Sequence, residues 1–150
     1  MTARFSTGLV TKMLDTNCFK TIMAACFIDI YSGTQPADAD SAATGTKLCT
    51  IYSDGSTTGL HWDTTASAGV LNKLASEVWS NSGASVTSGT AGWFRCREAS
   101  DSGVGASTTA ARFDGAISNT GGAQMNVGSL TLTAGAPFVL PAGSITLPKV

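Results

Sequence analysis

The only histidine of the chain, His61, is the side chain best suited to act as a general base near neutral pH. In a strand it would share a face with Asp63 two residues on, so a histidine–carboxylate pair is geometrically possible. A nucleophile is harder to find. No Gly-x-Ser-x-Gly turn supplies a serine, and Cys49 or Cys96 would have to be brought in by the fold. We therefore expect a structural histidine, no catalytic residue and no enzymatic activity.

Metal and cofactor sites have equally weak support. Asp38 and Asp40 alternate as calcium ligands can, but Ala43 stands where an EF-hand needs glycine and Cys49 where it needs glutamate. The four cysteines form no Cys-x-x-Cys pair, which argues against zinc and favours small buried hydrophobes in a reducing cytosol. The cysteines are Cys18, Cys26, Cys49 and Cys96. We expect no cofactor and no metal.

Tryptophan is the residue type here that could serve a ligand directly. Trp62, Trp79 and Trp93 could stack on sugars, which keeps a carbohydrate-binding module for host attachment as one alternative. In a sheet protein such residues more often fill the core or an interface. Both interpretations stay open at this point.

Composition narrows the classes of partner. The chain has 150 residues, which predicts a single domain over 1–150, and only 13% of them are charged, about half the usual share. A charge-poor surface favours a protein that is partly covered by partners. The net charge of -1 gives no reason to expect nucleic acid. Residues 13–30 are interrupted by charges, so we expect neither a membrane span nor a signal peptide.

The first third of the chain predicts one helical segment followed by strands. Apolar residues recur at threes and fours between residues 7 and 25, with a break near Asn17 and with Ser6 or Thr7 as the N-cap. The pattern becomes that of a strand from Cys26 onward. A long acidic loop over 34–46 and a second strand over 47–52 follow.

One strand has an unusual pair of faces. In the segment 93–98, alternation places Phe94 and Cys96 on one side and Trp93, Arg95 and Arg97 on the other. An aromatic residue beside two arginines is the composition of a binding hot spot. We expect these three residues to form a protein interface unless Trp93 packs in the core and the arginines are merely solvated. Three residues of the acidic loop are expected to contact a basic neighbouring subunit: Gln35, Asp38 and Asp40.

The rest of the chain reads as short strands and turns. Residues 99–111 predict a mobile loop, and 112–117 a tight hairpin or a strand with a turn at Asp114-Gly115. Leu130 with Leu132 and Ile145 with Leu147 alternate with small polar residues as half-buried strands do. Turn signals about every ten residues predict an all-β fold, an antiparallel β-sandwich of jelly-roll type with a short N-terminal helical segment. An α+β domain with a longer helix is the contrary interpretation.

Four segments carry a resemblance to known proteins. They are 28–40, 89–95, 112–117 and 125–127, and in order and spacing they are similar to small virion proteins of tailed bacteriophages and prophages. The similarity extends from about residue 5 to residue 148. Because these motifs contain no catalytic constellation, the resemblance implies a structural component of the particle without placing it there.

These observations together predict a non-enzymatic virion protein, assembled in the host cytoplasm. The leading role is a cement or decoration subunit that bridges major capsid proteins and stabilises the head. A tail, neck or baseplate component is the alternative. We also expect self-association as dimers or trimers, since particle symmetry favours closed oligomers.

Overall fold

The structure is a computed structural model, and it describes residues 3–146. The described chain is mostly β, with 35% of residues in strands and 9% in helices. Its strand pairs are antiparallel apart from the parallel pair β7–β8. The helices are α1 (Thr7–Asp15) and α2 (Phe19–Ile22), and the strands are β1 (Arg4–Phe5), β2 (Phe27–Ser32), β3 (Lys47–Ile51), β4 (Val70–Asn72), β5 (Trp79–Asn81), β6 (Gly89–Arg97), β7 (Arg112–Ser118), β8 (Met125–Asn126), β9 (Thr131–Leu132), β10 (Phe138–Leu140) and β11 (Ser144–Thr146). The prediction of an all-β fold with a short helical segment is confirmed.

The helical segment is broken where the sequence predicts. Ser6 is the N-cap of α1, and its hydroxyl oxygen accepts the Leu9 N–H at 3.1 Å. The same oxygen accepts the Arg112 N–H at 2.9 Å, so the cap also joins the helix to the start of β7. Leu9 and Met23 are buried, which fixes both ends of the helical segment to the core.

One long sheet forms the framework. Its strands lie in the order β1-β7-β6-β2-β3, with β8 added to β7 and β9 added to β6. Two ribbons, β5–β10 and β4–β11, complete the fold. The first ribbon continues the sheet beyond β3, because Tyr52 and Ser80 form a bridge.

The register of the sheet separates an apolar face from a charged one. Ile28 lies opposite Cys96, and Ile30 opposite Phe94, so these side chains share the face that carries the main core. Trp62, which is buried in the same cluster, covers that face together with residues of the ribbons. The alternation predicted for β6 is therefore confirmed.

The segment 112–117 contains no turn. Asp114 and Gly115 lie inside the continuous strand β7, where they pair with Arg95 and Phe94 of β6. A side chain at Gly115 would come within 2.6 Å of the Phe94 ring, so glycine is needed there for close packing and not for a turn. The predicted hairpin is wrong for this reason.

In the C-terminal part of the chain, the predicted burial of the strand leucines and isoleucine can be compared with the structure. Leu132 is buried and Leu130 and Ile145 are half-buried, as expected. Leu147 lies outside the described residues. Leu60 and Trp62 take part in isolated bridges, with Cys26 and Lys73, outside the strands named above.

The cysteines are free thiols with two environments. Cys26, Cys49 and Cys96 are buried, and burial raises the pKa of Cys49 to about 12. Cys18 is exposed, so its predicted role as a buried hydrophobe is wrong. Hydrogen bonds from Thr21 lower the pKa of the Cys18 thiol.

Candidate functional site

The face of the sheet opposite the core carries a row of charges. Pairing across the strands β3, β2, β6, β7 and β1 aligns five residues in the order Thr50, Asp29, Arg95, Asp114 and Arg4. Beyond the threonine, acidic and basic side chains alternate along this row. Opposite charges on neighbouring strands attract across the sheet, so the row favours this register.

Arg95 and Asp114 form the centre of this face. Both are fully buried, and the guanidinium donates two hydrogen bonds to the carboxylate, at 2.9 Å and 2.7 Å. Two further N–H groups of Arg95 donate to backbone carbonyl oxygens, to that of Gly103 at 3.0 Å and to that of Ser41 at 3.1 Å. Burial raises the pKa of Asp114 and Arg95 opposes that change. The pair is a desolvated bidentate ion pair whose guanidinium also binds two backbone carbonyl oxygens.

Two further arginines bind the loop 99–111. Arg97 donates to Asp29 of β2 at 2.7 Å and to the backbone carbonyl oxygen of Asp101, and Arg112 donates to both carboxylate oxygens of Asp101 at 2.6 Å and 2.8 Å. Burial alone would raise the pKa of Asp101, but the bonds from Arg112 and the Gly103 N–H hold it below its ordinary value. We call Arg95, Arg97 and Arg112, with Asp29, Asp101 and Asp114, the arginine face.

The arginine face is not a surface, which corrects the predicted interface. Trp93 and Arg95 are fully buried and Arg97 is largely buried, because the loops 33–46 and 99–111 cover this side of the sheet. Trp93 stacks on Tyr31 with ring centroids 4.5 Å apart. Burial raises the pKa of Tyr31 to about 12, with the charge of Asp29 adding to the effect. Charged strand residues here attach a layer of loops to the sheet.

The acidic loop contributes to the same layer. Gln35 is buried, and the Asp38 carboxylate accepts the Ser41 N–H and hydroxyl at 2.7 Å each. Asp40 accepts the Thr7 N–H at 2.9 Å and the Thr7 hydroxyl at 2.5 Å, so it ties the loop to α1. These carboxylates are occupied by donors of the chain itself. Asp38 is exposed and Asp40 half-buried, so only Asp38 of the three stands fully at the surface.

The predicted histidine–carboxylate pair forms with a different acid. His61 Nδ1 lies 2.5 Å from Glu77 Oε1, whereas Asp63 accepts the Thr64 N–H. Glu77 Oε2 also accepts the Trp79 indole N–H at 2.8 Å. Within residues 3–146 no serine or cysteine side chain bonds to the imidazole. His61 thus helps to join two segments and lacks the partner that a nucleophilic mechanism requires.

The tryptophans do not form a stacking platform. Trp62, Trp79 and Trp93 are all buried, and Trp62 packs edge-on to Trp79 with ring centroids 5.1 Å apart. Trp62 and Trp79 line a cavity of about 450 Å³ together with Phe94 and Phe113. The tryptophan rings thus pack within the fold and do not form an exposed aromatic surface in the described residues.

A groove beside the helices is the exposed feature with the character of a binding surface. It has a volume of about 650 Å³, and we call it the helical groove. Its apolar lining includes Phe5, Val10, Met13, Leu14, Leu71 and Ile145. Leu14 is 84% exposed at its rim, and Lys20 is the only charged residue in the lining. Exposed apolar side chains gathered along one groove are typical of an interaction site.

The helical groove is held firmly by the arginine side of the molecule. Lys12 of α1 binds Glu98 at 2.6 Å, and Asp40 binds the first residue of the same helix. These two contacts join α1, which lines the groove, to Glu98 and to the acidic loop. Of the apolar residues at helical spacing in α1, Leu9 is buried in the core, whereas Val10, Met13 and Leu14 are exposed. Helical spacing shows that residues share a face and not whether that face is covered.

No family model, no curated protein and no solved structure matches the chain. Among the residues that the structure describes, no group of three or more His, Cys, Asp or Glu side chains could hold a metal ion. None of the helices in the described range has the length and apolarity needed to cross a membrane.

Proposed function

We propose that the chain is a non-enzymatic structural protein of a tailed-phage virion, a cement or decoration subunit that stabilises the head by bridging major capsid proteins. The observation that carries the proposal is the helical groove. A protein that works alone in water rarely keeps a contiguous apolar surface of this kind, because covering it releases free energy in proportion to the area. In a subunit of a permanent assembly, a neighbouring subunit covers that surface.

The arginine face supports the same role from inside the molecule. The four segments that resemble phage virion proteins contain Asp29, Arg95 and Asp114, which order the sheet and its loops. Buried ion pairs of this kind are associated with one defined conformation more than with extra stability. A subunit repeated many times on a particle needs that uniformity, since each copy must offer the same contacts.

We further infer that the sheet and the two ribbons build a jelly-roll-like β-sandwich. Trp79 and Leu140 of the β5–β10 ribbon and Leu71 and Ile145 of the β4–β11 ribbon pack on the main core cluster. The β4–β11 ribbon supplies an apolar layer against the core face of the long sheet, as a sandwich requires, and the β5–β10 ribbon extends that sheet beyond β3.

The proposal is tested by removing the chain from the particle. Deleting its coding sequence should give heads that assemble and package DNA but lose it at lower temperature than wild-type heads. Supplying the purified chain in trans should restore the wild-type release temperature. A deletion that leaves heads without tails would instead support the tail or neck alternative. Purified virions that contain none of the chain would overturn the virion proposal altogether.

A further inference from the structure

The helical groove has both parts of a self-complementary contact within one patch. Leu14 projects from the rim with 84% of its surface exposed, and beside it lies an apolar hollow of about 650 Å³. An interface around a two-fold axis uses the same patch on both copies, so that a projection on each fills a hollow on the other.

The groove lining and the residue that follows Leu14 carry opposite charges. Lys20 is the charged residue of the lining, and its ammonium donates to the Thr64 carbonyl oxygen at 2.7 Å without an acidic partner in the described chain. Asp15 is exposed directly after Leu14, at the end of α1, and it too forms no ion pair within residues 3–146. A two-fold contact that inserts Leu14 into a second groove would bring Asp15 toward the Lys20 of that copy.

We propose that the occupant of the helical groove is a second copy of this chain, paired about a two-fold axis with Leu14 of each copy in the groove of the other and Asp15 near the opposite Lys20. The pairing rests on the proposed function for its biological use but not for its chemistry. Two copies joined in this way would present two identical attachment surfaces to a symmetric particle.

Sedimentation of the full chain over a range of micromolar concentrations tests the pairing. The wild type is expected to show a monomer–dimer equilibrium. Leu14→Asp should raise the dimer dissociation constant about thirtyfold, since loss of a hot-spot side chain costs about 2 kcal/mol. Val104→Asp is the matched control, because Val104 is 55% exposed on the loop 99–111 and should leave the equilibrium unchanged.

Two further measurements separate this contact from dimers formed elsewhere. Cys18 lines the groove, so maleimide should label it more slowly as the wild-type concentration rises, but not in Leu14→Asp. Lys20→Glu should weaken the dimer by placing two acids together, and the double variant Asp15→Lys with Lys20→Glu should restore it.

A chain that stays monomeric with concentration-independent Cys18 labelling would overturn the pairing, and so would a dimer that Leu14→Asp leaves intact. Virion content is read separately by mass spectrometry of purified particles. If the chain is monomeric but present in virions, the pairing is refuted and the proposed function stands. If the chain dimerises but is absent from virions, the proposed function is refuted and the pairing stands.

Discussion

Replacing Arg95 by methionine should destabilise the protein strongly, although the side-chain volume is roughly kept. The substitution leaves the Asp114 carboxylate fully buried without its two hydrogen bonds from the guanidinium. Removing one partner of a buried pair costs about 3–5 kcal/mol, because the other charge stays desolvated. The Gly103 and Ser41 carbonyl oxygens also lose a donor each. We expect a loss of about 4 kcal/mol in the free energy of unfolding.

The assay is urea unfolding followed by tryptophan fluorescence, together with thermal melting. For a chain of this size a loss of that magnitude lowers Tm by roughly 8–16 °C. Lys47→Met is the matched control, because its ammonium lies 3.8 Å from the buried Asp29 but its side chain is 40% exposed. That change should cost less than about 1 kcal/mol. The double variant Arg95→Met with Asp114→Leu should recover much of the loss, since neither charge is then buried.

The stability of Arg95→Met should also depend on pH in a characteristic way. Burial already raises the pKa of Asp114, and removing Arg95 takes away the group that opposes the shift. A raised pKa means that the folded state binds more protons than the unfolded state, so stability rises as pH falls. The loss of unfolding free energy in Arg95→Met, relative to the wild type, should therefore be smaller at acidic pH. If Arg95→Met and Lys47→Met cost the same at neutral pH, the argument that the arginine face is a desolvated network is refuted.

Three further predictions test other parts of the structure. Asp101 has a lowered pKa, so its contribution to the free energy of unfolding is present above about pH 4 and is lost as pH falls through the pKa of the folded state. Asp101→Asn should therefore flatten that part of the stability–pH curve, as measured by the midpoints of urea unfolding. A Cβ at Gly92 would lie 2.1 Å from the backbone carbonyl oxygen of Gly33, next to the register shift between β2 and β6, so Gly92→Ala should lower Tm by several degrees. Gly128→Ala is the control and should leave Tm unchanged, because the space around Gly128 is open. Equal Tm values for the two variants would contradict the register of β2 and β6. Native alkylation at low protein concentration should modify Cys18 alone, at a rate favoured by its lowered pKa, whereas modification of a second thiol before unfolding would contradict the buried positions of the others.

Local features of the fold are largely predictable from the sequence. The cap at Ser6, the break between α1 and α2 and the alternation in β6 each depend on residues within a few positions, and the structure confirms them. The turn expected at Asp114-Gly115 also rested on a local rule. It fails because the pairing of that strand with β6 and the ring of Phe94 set the conformation of both residues.

The faces of the elements were harder to assign because burial depends on distant segments. Arg95 lies opposite the core, as alternation requires, but the loops 33–46 and 99–111 that cover it are rich in small residues and show no apolar pattern. One signal for the arginine face was present in the sequence. Asp29, Arg95 and Asp114 occupy the same phase of three apolar strands, with complementary charges.

The helical groove was missed for the opposite reason. Val10, Met13 and Leu14 have the spacing of a core-facing stripe, and nothing local distinguishes a stripe buried in the fold from one left for a partner. Leu9 fills the core at that end of α1, and the adjoining stripe faces outward.

The proposal that the helical groove is an assembly surface of a virion protein is tested most directly by the density of intact phage particles. We predict that the chain is found on the head with the α1–α2 side in contact with another subunit and Leu14 excluded from solvent. A map that shows the chain in place with the helical groove open to solvent would contradict the claim.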